Sequence, residues 1–220
     1  MEQTAKTSNG RRLIQFGLLA LILIGLPLGS YVYLKRGYDY QVAAMHDLRK
    51  DVSMPTLADW EVVYGEWPDT LFGNMYLVGW LADPDNADAT ATYGQALERL
   101  HDQFDIPTNI GILTLLPRAD SNWVANFIDT YHLRDPAQVY FLSAGGEAFG
   151  QSTQSFGLTE EHRSTLATDP PLAIVDDSLY VRIAYRVTRE EELKRLVEQT
   201  AILLPERTRK KPELRRTPEK

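Results

Sequence analysis

The chain has 220 residues, 44% hydrophobic and 24% charged, enough for one globular domain with appendages. Its net charge is -7, but residues 1–36 and 206–220 each carry +4, so the stretch between them carries -15. A middle that acidic repels phosphate backbones and argues against nucleic-acid binding, and zero cysteines exclude disulfides, thiolate metal sites and thiol nucleophiles.

After a short basic N-terminus at 1–12, residues 13–34 (LIQFGLLALILIGLPLGSYVYL) hold no charge. As a helix they span roughly 33 Å, close to the hydrocarbon thickness of a bilayer. Tyr31 and Tyr33 fall where an aromatic belt is expected, and Pro27 is tolerated in membrane helices. A cleaved signal peptide is the competing reading, because Arg11-Arg12 makes a positive leader. The apolar run is long for that, and Leu28-Gly29-Ser30 is a poor cleavage site. The reading adopted is one retained transmembrane helix, with the bilayer as its partner. A slight basic excess ahead of the helix places the N-terminus in the cytoplasm and the domain outside.

Residues 35–58 read as a juxtamembrane connector, helical around Val42–Lys50 and ending near Pro55, and residues 59–204 as the globular domain. Within it, Trp60–Tyr64 forms a short strand, and Met75–Ala82 is an apolar run suited to a strand buried on both faces. A helix follows, with Tyr93, Leu97, Leu100 and Phe104 on one face and Pro107 closing it. Asn109–Leu116 is a second buried strand. Ser121 is the expected N-cap of a second helix carrying Val124, Phe127, Ile128 and Tyr131. Gln138–Ser143 is a further strand, ended by a turn at Gly145-Gly146, and Thr159–Thr168 a short helix. Leu172–Val175 and Leu179–Arg186 make a hairpin around the turn formers Asp176 and Asp177. The last helix opens with a capping box, Thr188 with Glu191, and carries the stripe Leu193, Leu196, Val197, Thr200 and Leu204. Residues 205–220 are too polar to pack and read as a disordered basic tail.

The order is βαβα, inserted elements, a β-hairpin and a closing helix. That is an α/β chain with the thioredoxin ground plan, preceded by one N-terminal transmembrane helix. In such a domain the working residues follow the first central strand, here Val78-Gly79-Trp80-Leu81-Ala82-Asp83-Pro84-Asp85-Asn86-Ala87. This segment resembles the signature of the Sco/SenC copper-chaperone family, an aromatic lead-in with glycine followed by Cys-Pro-Asp-x-Cys. Gly79, Trp80 and Pro84-Asp85 match; Asp83 and Ala87 stand in the two cysteine positions. Ala173-Ile174-Val175-Asp176 resembles the family's strand ending in Asp, while the family's histidine would fall near Ala167–Asp169, where there is none. Pro171 resembles the cis-proline of the thioredoxin-like superfamily. The resemblance spans about residues 57–203 and implies copper delivery to cytochrome c oxidase, or thiol redox work, at the outer face of an energy-transducing membrane. Copper(I) wants soft sulfur or imidazole ligands, so the substituted positions carry over the fold and setting without the activity.

Other candidates are weak in the sequence. Asp83 and Asp85 read as loop and helix-capping acids rather than an acid/base pair or a hard-cation site. His46, His101, His132 and His162 show no metal-ligand spacing among themselves, and Met45-His46 is a thin basis for a copper site. Trp60, Trp67, Trp80 and Trp123 read as core, with an exposed Trp60 or Trp67 marking an interaction face instead. No residue is assigned as catalytic, cofactor-binding or metal-ligating. The expected function is a non-catalytic, membrane-anchored accessory or assembly partner of a respiratory complex on the periplasmic side of a bacterial inner membrane. The alternatives are metal handling through non-cysteine ligands and a carboxylate-based enzyme on the same scaffold.

Overall fold

A computed structural model describes residues 14–19, 21–46, 48, 51–105 and 109–204. The expectations for 1–12 and 205–220 lie outside these residues. The chain divides into two compact units, Met1–Asp47 and Leu48–Lys220.

In the first unit a helix over Ile14–Tyr38, of mean hydropathy 2.0, is long and apolar enough to cross a membrane. Length and composition suit a signal sequence or an anchor equally. A π-helical turn at Leu21–Gly25 precedes helix α1, Leu26–His46. Pro27 accounts for the turn's position, because its ring displaces the carbonyl four residues back and offers no amide in exchange. Helix α1 runs without interruption through Val42, so no separate helix starts there.

The second unit is built on a seven-stranded sheet with strands β1 Val52–Ser53, β2 Glu61–Tyr64, β3 Met75–Trp80, β4 Ile110–Leu116, β5 Val139–Ser143, β6 Pro171–Val175 and β7 Tyr180–Arg186. Their order across the sheet is β1-β7-β6-β3-β4-β5-β2. Strands β3, β4 and β5 run parallel, and every other pairing is antiparallel. The helices are α2 Ala87–Phe104, α3 Ser121–Thr130, α4 Gly146–Ser155, α5 Glu160–Ser164 and α6 Glu190–Leu203. All residues of β3, β4, β5 and β6 are buried, as expected for central strands covered on both faces.

Alternation along these strands feeds two cores. Met75, Leu77, Ile112, Phe141, Leu172 and Ile174 pack with Tyr93, Leu97 and Leu100 of α2, Phe127 of α3 and Leu196 of α6. On the opposite face Tyr76, Val78, Trp80, Leu113, Leu115 and Leu142 pack with Phe149, Phe156, Leu158 and Leu57. The stripes expected on α2, α3 and α6 therefore do face the sheet.

Several local expectations are corrected. Val52–Ser53, inside the stretch read as connector, pairs with β7 through Val52 and Val181, and Leu57 is buried. Gly146 opens a helix rather than closing a turn. Its two glycines disfavour helix, but buried Phe149, Ser152 and Thr153 supply the packing that decides short helices. Asp120, not Ser121, caps α3 by accepting from the Trp123 amide at 2.9 Å. The capping box on α6 does not form, because Thr188 Oγ1 instead donates to Asp169 Oδ1 at 2.6 Å and Arg189 occupies the cap position. No cis peptide occurs among the described residues, so Pro171 follows a trans bond.

Candidate functional site

The turn between β3 and α2 is held shut by its own polar groups. Asp83 Oδ1 accepts from the Asp85 amide at 3.2 Å, and the Asp83 carbonyl accepts from the Asn86 amide at 3.1 Å. These bonds make the tight reversal that Asp and Pro favour. Asn86 then caps α2, its Oδ1 accepting from the Ala89 amide at 3.2 Å. Its Nδ2 donates to the Ala167 carbonyl at 3.0 Å, tying the turn to the loop before β6. Thr90 Oγ1 donates to the Pro84 carbonyl at 3.2 Å. From the far end of β4, Arg118 Nη2 reaches both Asp85 oxygens at 2.8 Å.

Both carboxylates of the turn are exposed, one in a local turn and one in an ion pair. Ala87, in the second cysteine position of the signature, is the exposed first residue of α2. The cap of α2 is Asn86, so the two acids expected to serve the helix end act instead within the turn. Residues Ala167–Asp169, where a histidine would complete a copper site, contribute the carbonyl bound by Asn86 and a carboxylate bound by Thr188.

The tryptophans pack within the domain. Trp80 is buried, donates from Nε1 to Ser152 Oγ at 3.0 Å, and meets Phe156 edge-on at 4.9 Å. Trp123 stacks on Phe127 at 5.0 Å, and Trp67 meets Tyr140 edge-on at 5.5 Å. Trp60 and Trp67 are half-buried, so neither stands free as an interaction platform. Among the described residues of the second unit the most exposed aromatic is Phe72, 68% exposed, on a shallow cleft of about 420 Å³ lined by Met54, Pro55, Trp67, Leu71 and Leu179.

A charged network invisible in the sequence pattern centres on Arg186, whose side chain is 10% exposed. Its Nη2 donates to Glu192 Oε1 at 2.9 Å, its backbone amide to Glu192 Oε2 at 2.8 Å, and its Nη1 to Glu161 Oε1 at 2.5 Å. Burial alone would push Glu192 up. Hydrogen bonds from the Arg186 side chain and amide, with the charges of Arg186 and Arg189, outweigh that and hold the carboxyl below its ordinary range. His162 is pushed down, first by burial and then by the positive charge of Arg186. Only a structure pairs these groups, since 25 residues separate Glu161 from Arg186.

The remaining histidines are scattered. His132 Nδ1 sits 2.7 Å from Glu98 Oε1 on the surface, and His101 lies at the far end of α2 beside Asp135. The side chains of Met45 and His46 lie outside the described residues.

No family model and no curated protein sequence matches the chain. The fold, by contrast, is shared with many solved structures. A Bacteroides thetaiotaomicron protein assigned as a disulfide isomerase superposes with a TM-score of 0.51 at 12% identity, covering 71% of this chain and 91% of its own. An Aquifex aeolicus protein assigned to electron transfer gives 0.51 at 11% identity, covering 70% and 94%. A Sco/SenC family lipoprotein from Bacillus anthracis gives 0.48 at 11% identity, covering 60% and 83%. The two superpositions at 0.51 establish a thioredoxin-like α/β fold. The cysteine-free turn described above sits on that fold.

Proposed function

We propose that this thioredoxin-like chain is held in a bacterial inner membrane by residues 13–34 and acts, without catalysis, as an accessory or assembly partner of a respiratory complex such as cytochrome c oxidase. In this reading the domain lies on the periplasmic side. The observation that carries it is the state of the β3–α2 turn. By the resemblance to the Sco/SenC signature, Asp83 and Ala87 stand in its two cysteine positions, and Asn86 and Arg118 lock the turn with hydrogen bonds. A thiol-free turn can neither exchange disulfides nor hold copper(I). What remains is a rigid surface and an apolar helix. Confinement to a membrane raises the effective concentration of such a surface near a membrane partner without tight binding.

The setting comes from the Sco-like lead-in Gly79-Trp80 and the pair Pro84-Asp85. Extraction in a mild detergent followed by native separation tests the reading. The chain should migrate with a haem-containing complex, and its deletion should lower the amount of assembled oxidase. Replacing Asp83 and Asp85 with Asn should leave both results unchanged. A chain that migrates alone, with oxidase levels indifferent to its deletion, would rule the reading out.

A further inference from the structure

We propose that His101, Asp105 and Asp135 form a binding site for one divalent d-block cation of the zinc class. The three residues place one ligand atom each within 4.8 Å of one another. His101 and Asp105 are four apart at the C-terminal end of α2, which puts them on one face of that helix end. Asp135 comes from the loop before β5, 34 residues beyond His101.

Two features make this more than a chance cluster. First, His101 Nε2 is buried and has no hydrogen-bond partner among the described residues. It faces Asp135 Oδ2 at 3.7 Å, beyond hydrogen-bonding distance. Two ligands sharing a tetrahedral zinc at bonds of 2.0–2.1 Å stand about 3.4 Å apart, so movement of a few tenths of an ångström would complete the pair. Second, both ligand-bearing segments are held before any ion arrives. Asp135 Oδ1 accepts from the Ala137 amide at 3.0 Å, leaving Oδ2 for His101. Gln138, 6% exposed, donates from Nε2 to the Phe104 carbonyl at 2.7 Å, bolting this loop to the end of α2. Such support is what keeps metal-binding side chains in place.

The ligand chemistry selects the ion. One imidazole and two carboxylates suit zinc and its neighbours, offer nothing soft for copper(I), and are too few oxygens for calcium. Asp105 is the C-cap of α2, where its negative charge meets the negative end of the helix dipole, and a bound cation would offset both. The site lies roughly 20 Å along α2 from the β3–α2 turn, so it is independent of the partner role proposed above.

The test uses the full chain in detergent, without a polyhistidine tag and stripped by chelator. Titration with Zn²⁺ should show one equivalent bound. His101→Gln and Asp135→Asn should each weaken it by about tenfold or more, the scale on which even outer-shell partners matter. His132→Gln should leave it unchanged. Because a variant can lose its fold, Co²⁺ is also added to the unaltered chain, where the large contact shifts of a ligating imidazole should fall on the ring signals of His101. Absence of stoichiometric zinc binding, binding indifferent to His101→Gln, or contact shifts on another histidine instead would overturn the proposal and leave a simple His–Asp contact.

Discussion

The hydroxyl of Tyr93 occupies the space that a side chain on Gly79 would need. A Cβ built on Gly79 would stand 2.0 Å from that oxygen and 2.9 Å from Leu172 Cδ2. Tyr93 is fully buried, and its hydroxyl lies 3.0 Å from Thr114 Oγ1 on the neighbouring strand. Burial pushes the phenol far up despite the bond to Thr114, so it stays protonated. The glycine just ahead of the β3–α2 turn thus has a structural cause in this chain: it admits the tyrosine that ties α2 to β4.

Gly79→Ala should therefore destabilise the domain by about 1–3 kcal/mol, the cost of overpacking a tight core. Adding Tyr93→Phe removes the nearest clash and should recover part of that loss. Recovery stays incomplete, because the ring carbon at 2.9 Å remains and the Thr114 hydroxyl loses its partner at roughly 1 kcal/mol. Urea midpoints of the single and double variants measure both effects. A single variant as stable as the parent would show that the core yields more easily than its packing implies.

The Arg186 network makes stability depend on pH in a stated direction. Glu192 has a folded pKa below its unfolded value near 4.5, so its contribution is present above that value and lost as pH falls through the folded one. His162 is also depressed, from 6.5, because the folded chain disfavours its charged form. Its penalty accordingly begins as pH falls below about 6.5. Glu161 and Asp169, with Glu192, oppose that shift without reversing it. Thermal stability should therefore decline from about pH 6.5 downward, with a second decline below about 4.5. Arg186→Met should cost roughly 3 kcal/mol near neutrality by leaving partly buried carboxylates unpaired. It should also flatten both declines. An unchanged pH profile in that variant would disconnect the network from stability.

Asn86 does two separable jobs. Its oxygen caps α2 and its nitrogen holds the Ala167 carbonyl. Asn86→Asp keeps a good cap but sets a carboxylate oxygen against that carbonyl, whereas Asn86→Ala loses both. Alanine should cost about 1–2 kcal/mol. Aspartate should cost less in global stability yet speed amide exchange in the loop at 165–170 as much as alanine does. Equal protection in parent and aspartate variant would show that the cross-loop bond holds nothing in place.

The central strands were legible because burial on both faces leaves continuous apolar runs, as in Met75–Trp80 and Ile110–Leu116. Helix α2 was legible through its stripe. What escaped has a common cause. Strand β1 is two residues long and carries no pattern, and α4 contains two glycines whose cost is met by Phe149 packing on the distant sheet. Thr188 preferred Asp169, 19 residues away, to its own helix. The site was readable as a thiol-free turn, since that depends on residue type at fixed spacing. The pairs Asp85–Arg118, Asn86–Ala167 and His101–Asp135 were not, because each joins segments more than 30 residues apart.

If the β3–α2 turn is a redox turn emptied of its reactive atoms, restoring them should restore reactivity. Ala87 is exposed at the first turn of α2, where unpaired amides and the positive end of the helix dipole favour an anion. Ala87→Cys should thus yield a thiol that reacts with iodoacetamide at lower pH than an ordinary cysteine, its pKa about a unit or more below 8.5. Adding Asp83→Cys should let the two thiols pair under mild oxidation, read as the loss of two hydrogens in the intact mass. The Asp83 side chain now fastens the turn through the Asp85 amide, so the double variant gives up one local bond to gain this pair. Relaxing Asn86 to Ser, which keeps the cap and frees Ala167, should then speed pairing if the cross-loop bond is what restrains the turn. Thiols that titrate normally and never pair, even with Asn86 relaxed, would mean that Asp83 and Ala87 do not stand where the Sco/SenC signature places its cysteines.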